Sequence, residues 1–585
     1  MTGYTTGGLF GRLTEHAGTT PDKVALSIAP VGGGDRVDLT YAGLRERSLA
    51  VARALTEKVR PGDRVLLLFP TAPEFAPAFL GCLAAGVIAV PVPLPLDEGA
   101  RRRVLNVARD CDISLVVSLS FLHDLLLVGD EELRGFAAGQ DWLLVDQLGA
   151  GADDGAGLPV AAADDTAFLQ YTSGSTSTPR GVVVTHGALM HNEAAIQRSF
   201  GVTPDSTIVS WLPLHHDMGL IGAMLQPVYT GGKGVILDPL SFVRRPASWL
   251  ETISAERADI SGGPNFAYDL CVRKVTEQEK AGLDLSAWRV AFNGAAQVYP
   301  RTLRAFTEAF QDNGFRASSH LPCYGLAEAT LLVATVAPTV SRTFDDGREL
   351  VAYRLPEHAD VRVLDRGSDA EVDAGQVGEI AVSGDSNGAG YWGGKTFGTF
   401  LRTGDLGFRD GAELFVVGRS KDLIVQRGRN VYPEDLEADA GTCDPDVRPG
   451  RTAVFGVEDD GDEAVVVCQE VRAETRPERY REIAGRVRAA LSRVHGVTAR
   501  TVLLVPPSTI TKTSSGKVQR FAARQRHLDG ALPVLLDDTA TGRASSLTER
   551  LAEGDSLVTA LCAHLGALLG LPEPPSGEMS LAALG

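Results

Sequence analysis

Tyr171-Thr172-Ser173-Gly174-Ser175-Thr176-Ser177-Thr178-Pro179-Arg180-Gly181 lies between two apolar runs, one ending at Phe168-Leu169 and the other being Val182-Val183-Val184. Hydroxyls and glycines between two buried strands make a turn whose backbone N–H groups can curl around an anion, with the hydroxyls as further donors. Arg180 adds a positive charge that does not titrate near neutral pH. That chemistry suits a polyphosphate. The stretch is not a Walker loop, because it contains no Gly-x-x-x-x-Gly-Lys-Ser/Thr. Taken alone, it also reads as a solvated Ser/Thr-rich hairpin.

On the N-terminal side of this turn, from about residue 8 to 160, helical and strand patterns alternate. Residues 44–55 read as a helix, Arg64–Leu68 as a buried strand and residues 73–85 as the next helix. Such alternation predicts a mostly parallel sheet covered by helices. The pattern repeats from about 166 to 335 as a second α/β layer system. Between 340 and 417 helical patterns vanish, and runs such as residues 361–364 and 379–382 alternate like strands of a small β subdomain. The expected fold class is therefore α/β. A large N-terminal domain (1–418) has two α/β layered subdomains plus a small β subdomain, and a smaller α+β C-terminal domain covers 419–530. Residues 531–548, rich in Asp, Thr, Gly, Ala and Ser, read as a linker. Residues 549–585 carry one amphipathic helix through Leu557, Leu561, Leu565 and Leu568, then a Pro-rich turn.

A chain of 585 residues exceeds a single core. With 44% hydrophobic and 22% charged residues it has the make-up of a soluble globular protein. The formal net charge of −18 argues against a nucleic-acid or anionic-membrane partner, so the functional positive charges must be local. Seven cysteines without metal spacing read as reduced thiols of a cytoplasmic protein. Met1-Thr2-Gly3-Tyr4 lacks a basic region followed by an apolar core, so no signal peptide is expected. The most apolar stretch, residues 79–90, runs into Pro91, Pro93 and Pro95, which suits a buried helix and strand rather than a membrane span.

Further motifs follow. Trp211-Leu212-Pro213-Leu214-His215-His216-Asp217-Met218-Gly219 puts two histidines before a Gly-rich helix start. Neighbouring residues of a strand face opposite ways, so only one histidine would line a given pocket, and His216 could instead cap the helix. Ser261-Gly262-Gly263-Pro264-Asn265-Phe266-Ala267-Tyr268 offers small residues and rings for an apolar wall, or for plain core. Asn293-Gly294-Ala295-Ala296-Gln297 and Cys323-Tyr324-Gly325-Leu326-Ala327-Glu328 each follow an apolar strand. Their glycines permit flat approach of an adenine, Tyr324 offers a stacking face, and Glu328 is a hard oxygen donor suited to Mg²⁺. Arg402-Thr403-Gly404-Asp405 places a carboxylate on a tight turn. Gly418-Arg419-Ser420-Lys421-Asp422 and Thr513-Ser514-Ser515-Gly516-Lys517 bring cations, the last on a flexible Gly-Ser turn.

In this order, from about residue 10 to 525, the motifs resemble those of the adenylate-forming enzymes, which include acyl-CoA ligases, luciferases and peptide-synthetase adenylation domains. The His-Asp-Met-Gly-Leu-Ile-Gly wording at 216–222 is similar to that of the fatty acyl-AMP ligases. The resemblance implies ATP bound through Thr172, Ser173, Gly174, Ser175, Thr176, Arg180, Gly294, Ala295, Tyr324, Gly325, Asp405, Arg419 and Lys517. It implies Mg²⁺ on Glu328, and Lys517, His216 and Arg419 as catalytic residues. It also implies a mobile C-terminal domain hinged at Lys421, and an acyl chain against His216, Asn265, Phe266 and Tyr268. Four departures stand out. Ser177 and Arg180 replace a common Gly and Lys, Ala296-Gln297 replaces Glu-Pro, and the connection from 340 to 360 is short for the insertion usual in this branch.

The implied reaction is ATP-dependent activation of a fatty acid to acyl-AMP, with release of pyrophosphate. Transfer to the phosphopantetheine thiol of an acyl carrier protein follows. The alternatives are a fatty acyl-CoA ligase and an adenylate-binding scaffold without turnover. Residues 549–585 resemble the start of a carrier domain. Residues 549–585 also read as an amphipathic tail packing on the enzyme, but a piece of about 35 residues with one helix cannot bury a core of its own, so the natural chain is expected to continue into a fused carrier.

Overall fold

The computed structural model describes residues 7–539 apart from 30–34, 97, 130, 150–154, 173–179, 336–340, 345–348, 427–428, 460–461 and 514–515. The chain divides into two compact units, Met1–Val416 and Val417–Gly585. The expected helix through Leu557 to Leu568 and the carrier-like segment 549–585 lie outside the described residues.

In the large unit, Val65 to Leu68 and Ile88 to Val92 are buried without interruption, as strands at the centre of a parallel sheet are. Their sheet has seven strands in the order Gly390–Tyr391, Arg180–Thr185, Thr166–Thr172, Ile88–Val92, Arg64–Leu68, Leu115–Ser118, Trp142–Leu144. Helix Phe75–Ala85 is buried on every side. It packs so closely on helix Tyr41–Thr56 that a Cβ added at Gly81 would lie 2.8 Å from Val51 Cβ. The latter helix begins three residues before the expected start because Thr40 caps it, accepting from the Gly43 N–H.

A second sheet of fourteen strands runs from Asp360–Leu364 through the parallel strands His320–Gly325, Val290–Asn293, Ile260–Gly262, Thr207–Ser210 and Lys233–Ile236 to Val24–Ile28 and Val37–Thr40. The α/β class is as expected, and among the described residues no helix occurs between 341 and 416. Two features differ from the sequence reading. The hairpin Thr166–Thr172 and Arg180–Thr185 belongs to the first sheet, while the N-terminal strands Val24–Ile28 and Val37–Thr40 join the second. The β subdomain, moreover, continues the second sheet through Leu332–Thr335 and Glu349–Arg354. Strand partners are chosen by long-range pairing, which local periodicity does not encode.

The small unit has a sheet of four strands, Val447–Asp459, Asp462–Val471, Ala499–Val505 and Leu536–Thr539, with helices Pro433–Ala440, Tyr480–His495 and Arg520–Leu528. Its core gathers Ile424, Leu436, Val467, Leu491 and Leu504. The expected linker 531–548 is corrected in its first part. Leu536–Thr539 pairs antiparallel with Ala499–Val505, and Asp538 meets Arg488 at 3.1 Å. An edge strand held by backbone bonds needs little apolar character, so its polar composition misled the reading. The six described cysteines are free thiols. No helix among the described residues is long and apolar enough to cross a membrane.

Candidate active site

Thr172 and Arg180 face each other where the hairpin strands part, Thr172 half-buried and Arg180 exposed. Ser173, Gly174, Ser175 and Thr176 lie outside the described residues. The Tyr171 ring lies flat over Gly181, where an added Cβ would come within 2.8 Å of a ring carbon. The Tyr171 hydroxyl donates to Asp110 Oδ2 at 2.5 Å, and burial together with this bond pushes its pKa well above the ordinary tyrosine value.

Two loops leave the carboxyl ends of strands Val290–Asn293 and His320–Gly325. In the first, Ala295 takes φ 67°, a left-handed conformation that costs a residue with a Cβ. A Cβ at Gly294 would come within 3.0 Å of the Cys323 carbonyl oxygen, so the two loops touch backbone to backbone. Asn265 supports the first loop. Its Oδ1 accepts from Asn293 Nδ2 at 3.1 Å and from the Tyr299 N–H at 3.3 Å, and its Nδ2 donates to the Gln297 carbonyl.

In the second loop a Cβ at Gly325 would fall 1.9 Å from the Leu331 carbonyl oxygen, so only glycine fits. Thr330 sits at φ 67°, ψ −60°, closed by Leu331 N–H donating to the Ala329 carbonyl at 2.8 Å. This is a strained γ-turn, held in place because Thr330 Oγ1 donates to the Ser386 carbonyl. Tyr324 donates its hydroxyl to Asp405 Oδ2 at 2.9 Å, and both residues are buried. Asp405 is not on a simple turn. It lies in a bulge of strand Leu401–Asp410, where residues 403–405 stand against Ile380 alone and Gly404 adopts φ 74°. The glycine-rich backbone, Tyr324 and Asp405 thus form one cluster.

Glu328 is half-buried, and its Oε1 accepts from the Tyr391 hydroxyl at 2.8 Å. The Arg180 guanidinium stands 5.3 Å from the centre of the same tyrosine ring. Burial and the Glu328 charge push the Tyr391 pKa up to about 12, with Arg180 opposing. Sequence reasoning missed Tyr391, because nothing in Gly390-Tyr391-Trp392 signals where the hydroxyl points. Among the described residues no group of three or more His, Cys, Asp or Glu side chains gathers to hold a metal. A single carboxylate whose second oxygen has no partner among the described residues fits Mg²⁺, which keeps waters and takes phosphate oxygens instead of a protein cage.

His215 and His216 lie in a turn rather than a strand, and their rings approach to 4.6 Å. Burial, His216 and Arg103 hold the His215 pKa well below the ordinary value. His216 precedes helix Asp217–Gly219 but its side chain does not cap it. The helix continues as a π-helical turn, Leu220–Leu225, an irregularity found often at functional sites. Phe266 is half-buried with its ring edge-on to Trp211 at 5.6 Å, and Trp211 stacks on Phe242 at 4.0 Å. Tyr268 is instead fully buried among Trp249, Trp288 and Phe306, its hydroxyl on the Phe292 carbonyl at 2.8 Å, which is a core position.

In the small unit, Arg419 is half-buried at the end of strand Glu413–Arg419, and Lys421 is exposed. Lys517 is half-buried and braced against Thr513. Its N–H donates to Thr513 Oγ1 at 3.0 Å, its carbonyl accepts from the Thr513 N–H at 2.8 Å, and Lys512 bridges Val518. Three residues on, Arg520 binds Asp422 at 2.8 Å, Glu437 at 2.6 and 2.8 Å, and Glu434 at 2.5 Å. Burial works against this charge, but the three carboxylates around it push its pKa well above the ordinary value. Upstream, the Ile510 N–H donates to the buried Glu470 at 2.8 Å. The Arg520 ion cluster and the Glu470 hydrogen bond therefore anchor the segments on either side of Lys517, while Ser514 and Ser515, on which the expected flexible turn falls, lie outside the described residues.

Residues 13–392 match the AMP-binding enzyme family. The chain is 37% identical over 551 residues to the medium-chain-fatty-acid acyl-carrier-protein ligase JamA of Moorena producens, a match covering 87% of this chain and 93% of that protein. It is 35% identical over 570 residues to the putative fatty-acid–CoA ligase fadD21 of Mycobacterium leprae, covering 88% and 97%. The solved fatty acyl-adenylate ligase from L. pneumophila, in complex with acyl adenylate and pyrophosphate, is similar with a TM-score of 0.68 and 33% identity, covering 91% of this chain and 98% of that one.

Proposed function

The chain belongs to the AMP-binding enzyme family, and from that premise we propose that it joins a fatty carboxylate to AMP from ATP, releases pyrophosphate, and passes the acyl group to a carrier-protein phosphopantetheine thiol. The observation that carries this reading is the 37% identity, over nearly the full length of both chains, to a fatty-acid acyl-carrier-protein ligase. The carboxylate is already ionised at neutral pH, with an ordinary pKa of about 4, so attack on the α-phosphate needs no general base. The barrier is the repulsion of two anions and the charge gathering on phosphate oxygens, which cations and backbone donors relieve.

Each group then has a task. Thr172, Arg180 and the hydroxyl-rich residues 173–176 take the phosphates. Backbone at Gly294, Ala295 and Gly325 receives the adenine beside Tyr324, and Asp405 accepts the ribose hydroxyls with its orientation set by Tyr324. Mg²⁺, when bound at Glu328, supplies neutralising charge to the phosphates. Phe266 and His216 border the acyl chain, whereas Asn265 acts through the 293–299 loop and Tyr268 stays in the core. Arg419 and Lys517 bring positive charge from the small unit, with Lys421 as the hinge.

A second reading, an acyl-CoA ligase, is favoured by the short connection from 340 to 360 and by the likeness to a putative fatty-acid–CoA ligase. A pyrophosphate-release screen over acyl chain lengths, with free CoA and a phosphopantetheinylated carrier as rival acceptors, separates the two. Release with a fatty acid and acylation of the carrier alone is the expected outcome. Ready acylation of CoA and not of the carrier selects the second reading, and no release with any fatty acid removes both.

A further inference from the structure

We propose that Tyr391 is a positioning residue whose hydroxyl holds the Glu328 carboxylate away from the Arg180 guanidinium, so that each remains available to Mg·ATP. The inference rests on the reading of Glu328 as the metal ligand. Arg180 and Glu328 carry opposite charges and both meet the same side chain, one over the ring and one at the hydroxyl. They form no ion pair with each other. Two such groups at the rim of one site would neutralise one another if nothing stood between them.

Tyr391 is built in firmly enough to stand there. Gly390–Tyr391 is a two-residue strand on the edge of the hairpin, with Tyr391 opposite Val182. Ala389 N–H donates to the Val183 carbonyl at 2.9 Å, and Trp392 N–H to the Gly181 carbonyl at 2.8 Å. The same segment grips the Glu328 backbone, because the Gly388 N–H donates to the Glu328 carbonyl at 2.9 Å. A Cβ at Gly388 would lie 2.9 Å from Val182 Cγ1, so the segment runs flush against the strand. Phe397 packs edge-on against the ring at 5.1 Å. One short segment therefore sets both the backbone and the side chain of Glu328 while its ring holds Arg180 on the hairpin. With Oε1 occupied by the hydroxyl, Oε2 is left for the cation.

The test is Tyr391→Phe in the full chain, which keeps the ring and its packing and removes only the hydroxyl. ATP binding is followed by calorimetry without fatty acid while Mg²⁺ is varied. The Mg²⁺ concentration for half-maximal binding is expected to rise about tenfold, the size of one lost charge-assisted hydrogen bond, with the unliganded melting temperature unchanged. Glu328→Gln serves as the control, and adding Tyr391→Phe to it should shift the Mg²⁺ dependence no further, since the hydroxyl reaches the metal through that carboxylate. A wild-type Mg²⁺ dependence in Tyr391→Phe, beside a shifted one in Glu328→Gln, overturns the proposal and leaves the metal reading standing. No shift in either variant removes the metal reading and the proposal together.

Discussion

In the large unit the candidate binding groups sit on backbone whose shape is forced: Gly325 has no room for a side chain, Ala295 and Thr330 occupy unfavourable dihedrals, and Asp405 rides a bulge. In the small unit the segments on either side of Lys517 are tied by charge, through Arg520 after it and Glu470 before it. Steric limits on the backbone hold the first arrangement, and an ion cluster with a charge-assisted hydrogen bond holds the second. Strained backbone suits a surface that must be shaped before the nucleotide arrives. Charge-tied flanks keep a lysine in register with the segment that bears Asp422, one residue past Lys421. The comparison teaches that rigidity was reached by two routes, and that the two should fail under different perturbations.

The sharpest break is Arg520→Ala. It leaves Glu437, Glu434 and Asp422 without their shared partner, and removing one member of a buried charge cluster costs about 3–5 kcal/mol. Chemical denaturation should show an early transition for the small unit and an unchanged one for the large unit. If both transitions stay in place, the charge-tied account is wrong. Next in size, Lys517→Ala should slow adenylate formation by about 10²–10³ while ATP still binds, as loss of one charge-stabilising group does. Wild-type pyrophosphate exchange in that variant removes Lys517 from the chemistry.

Acid should act on the large unit. Burial holds His186 and His320 down at about 4, with Asp165 opposing in the first and the Leu303 carbonyl in the second. Folded protein therefore keeps these rings neutral where the unfolded chain takes up protons, below the ordinary value of 6.5. Their share of stability is complete above that pH and is lost as pH falls from 6.5 toward 4, by roughly 2–3 kcal/mol for each ring. Asn replacement of either histidine should flatten that slope, and an unchanged slope would show that other groups set it. The smallest effect expected is that of Tyr324→Phe. It keeps the stacking face but frees Asp405 to turn, weakening ATP by a few-fold to about tenfold. A 2′,3′-dideoxy analogue should be indifferent to the change, and equal loss for both nucleotides would assign Tyr324 to the adenine alone.

The sequence by itself determined the elements and the cast. Uninterrupted apolar runs such as residues 65–68 could only be covered strands, and Gly, Tyr, Glu, Asp and Lys at the ends of such runs supplied the residues proposed to meet the nucleotide. Partners were another matter. Hairpin 166–185 joins the first sheet, Leu536–Thr539 is a strand and not a linker, Asn265 serves a loop, and Tyr268 is core. Tyr391 became visible only when its hydroxyl was found on Glu328, 63 positions away in sequence. The physical reason is range. Helical and strand periods are set by covalent geometry within a few residues, whereas the direction of a hydroxyl or the edge a strand pairs with depends on groups that only the closed fold brings together.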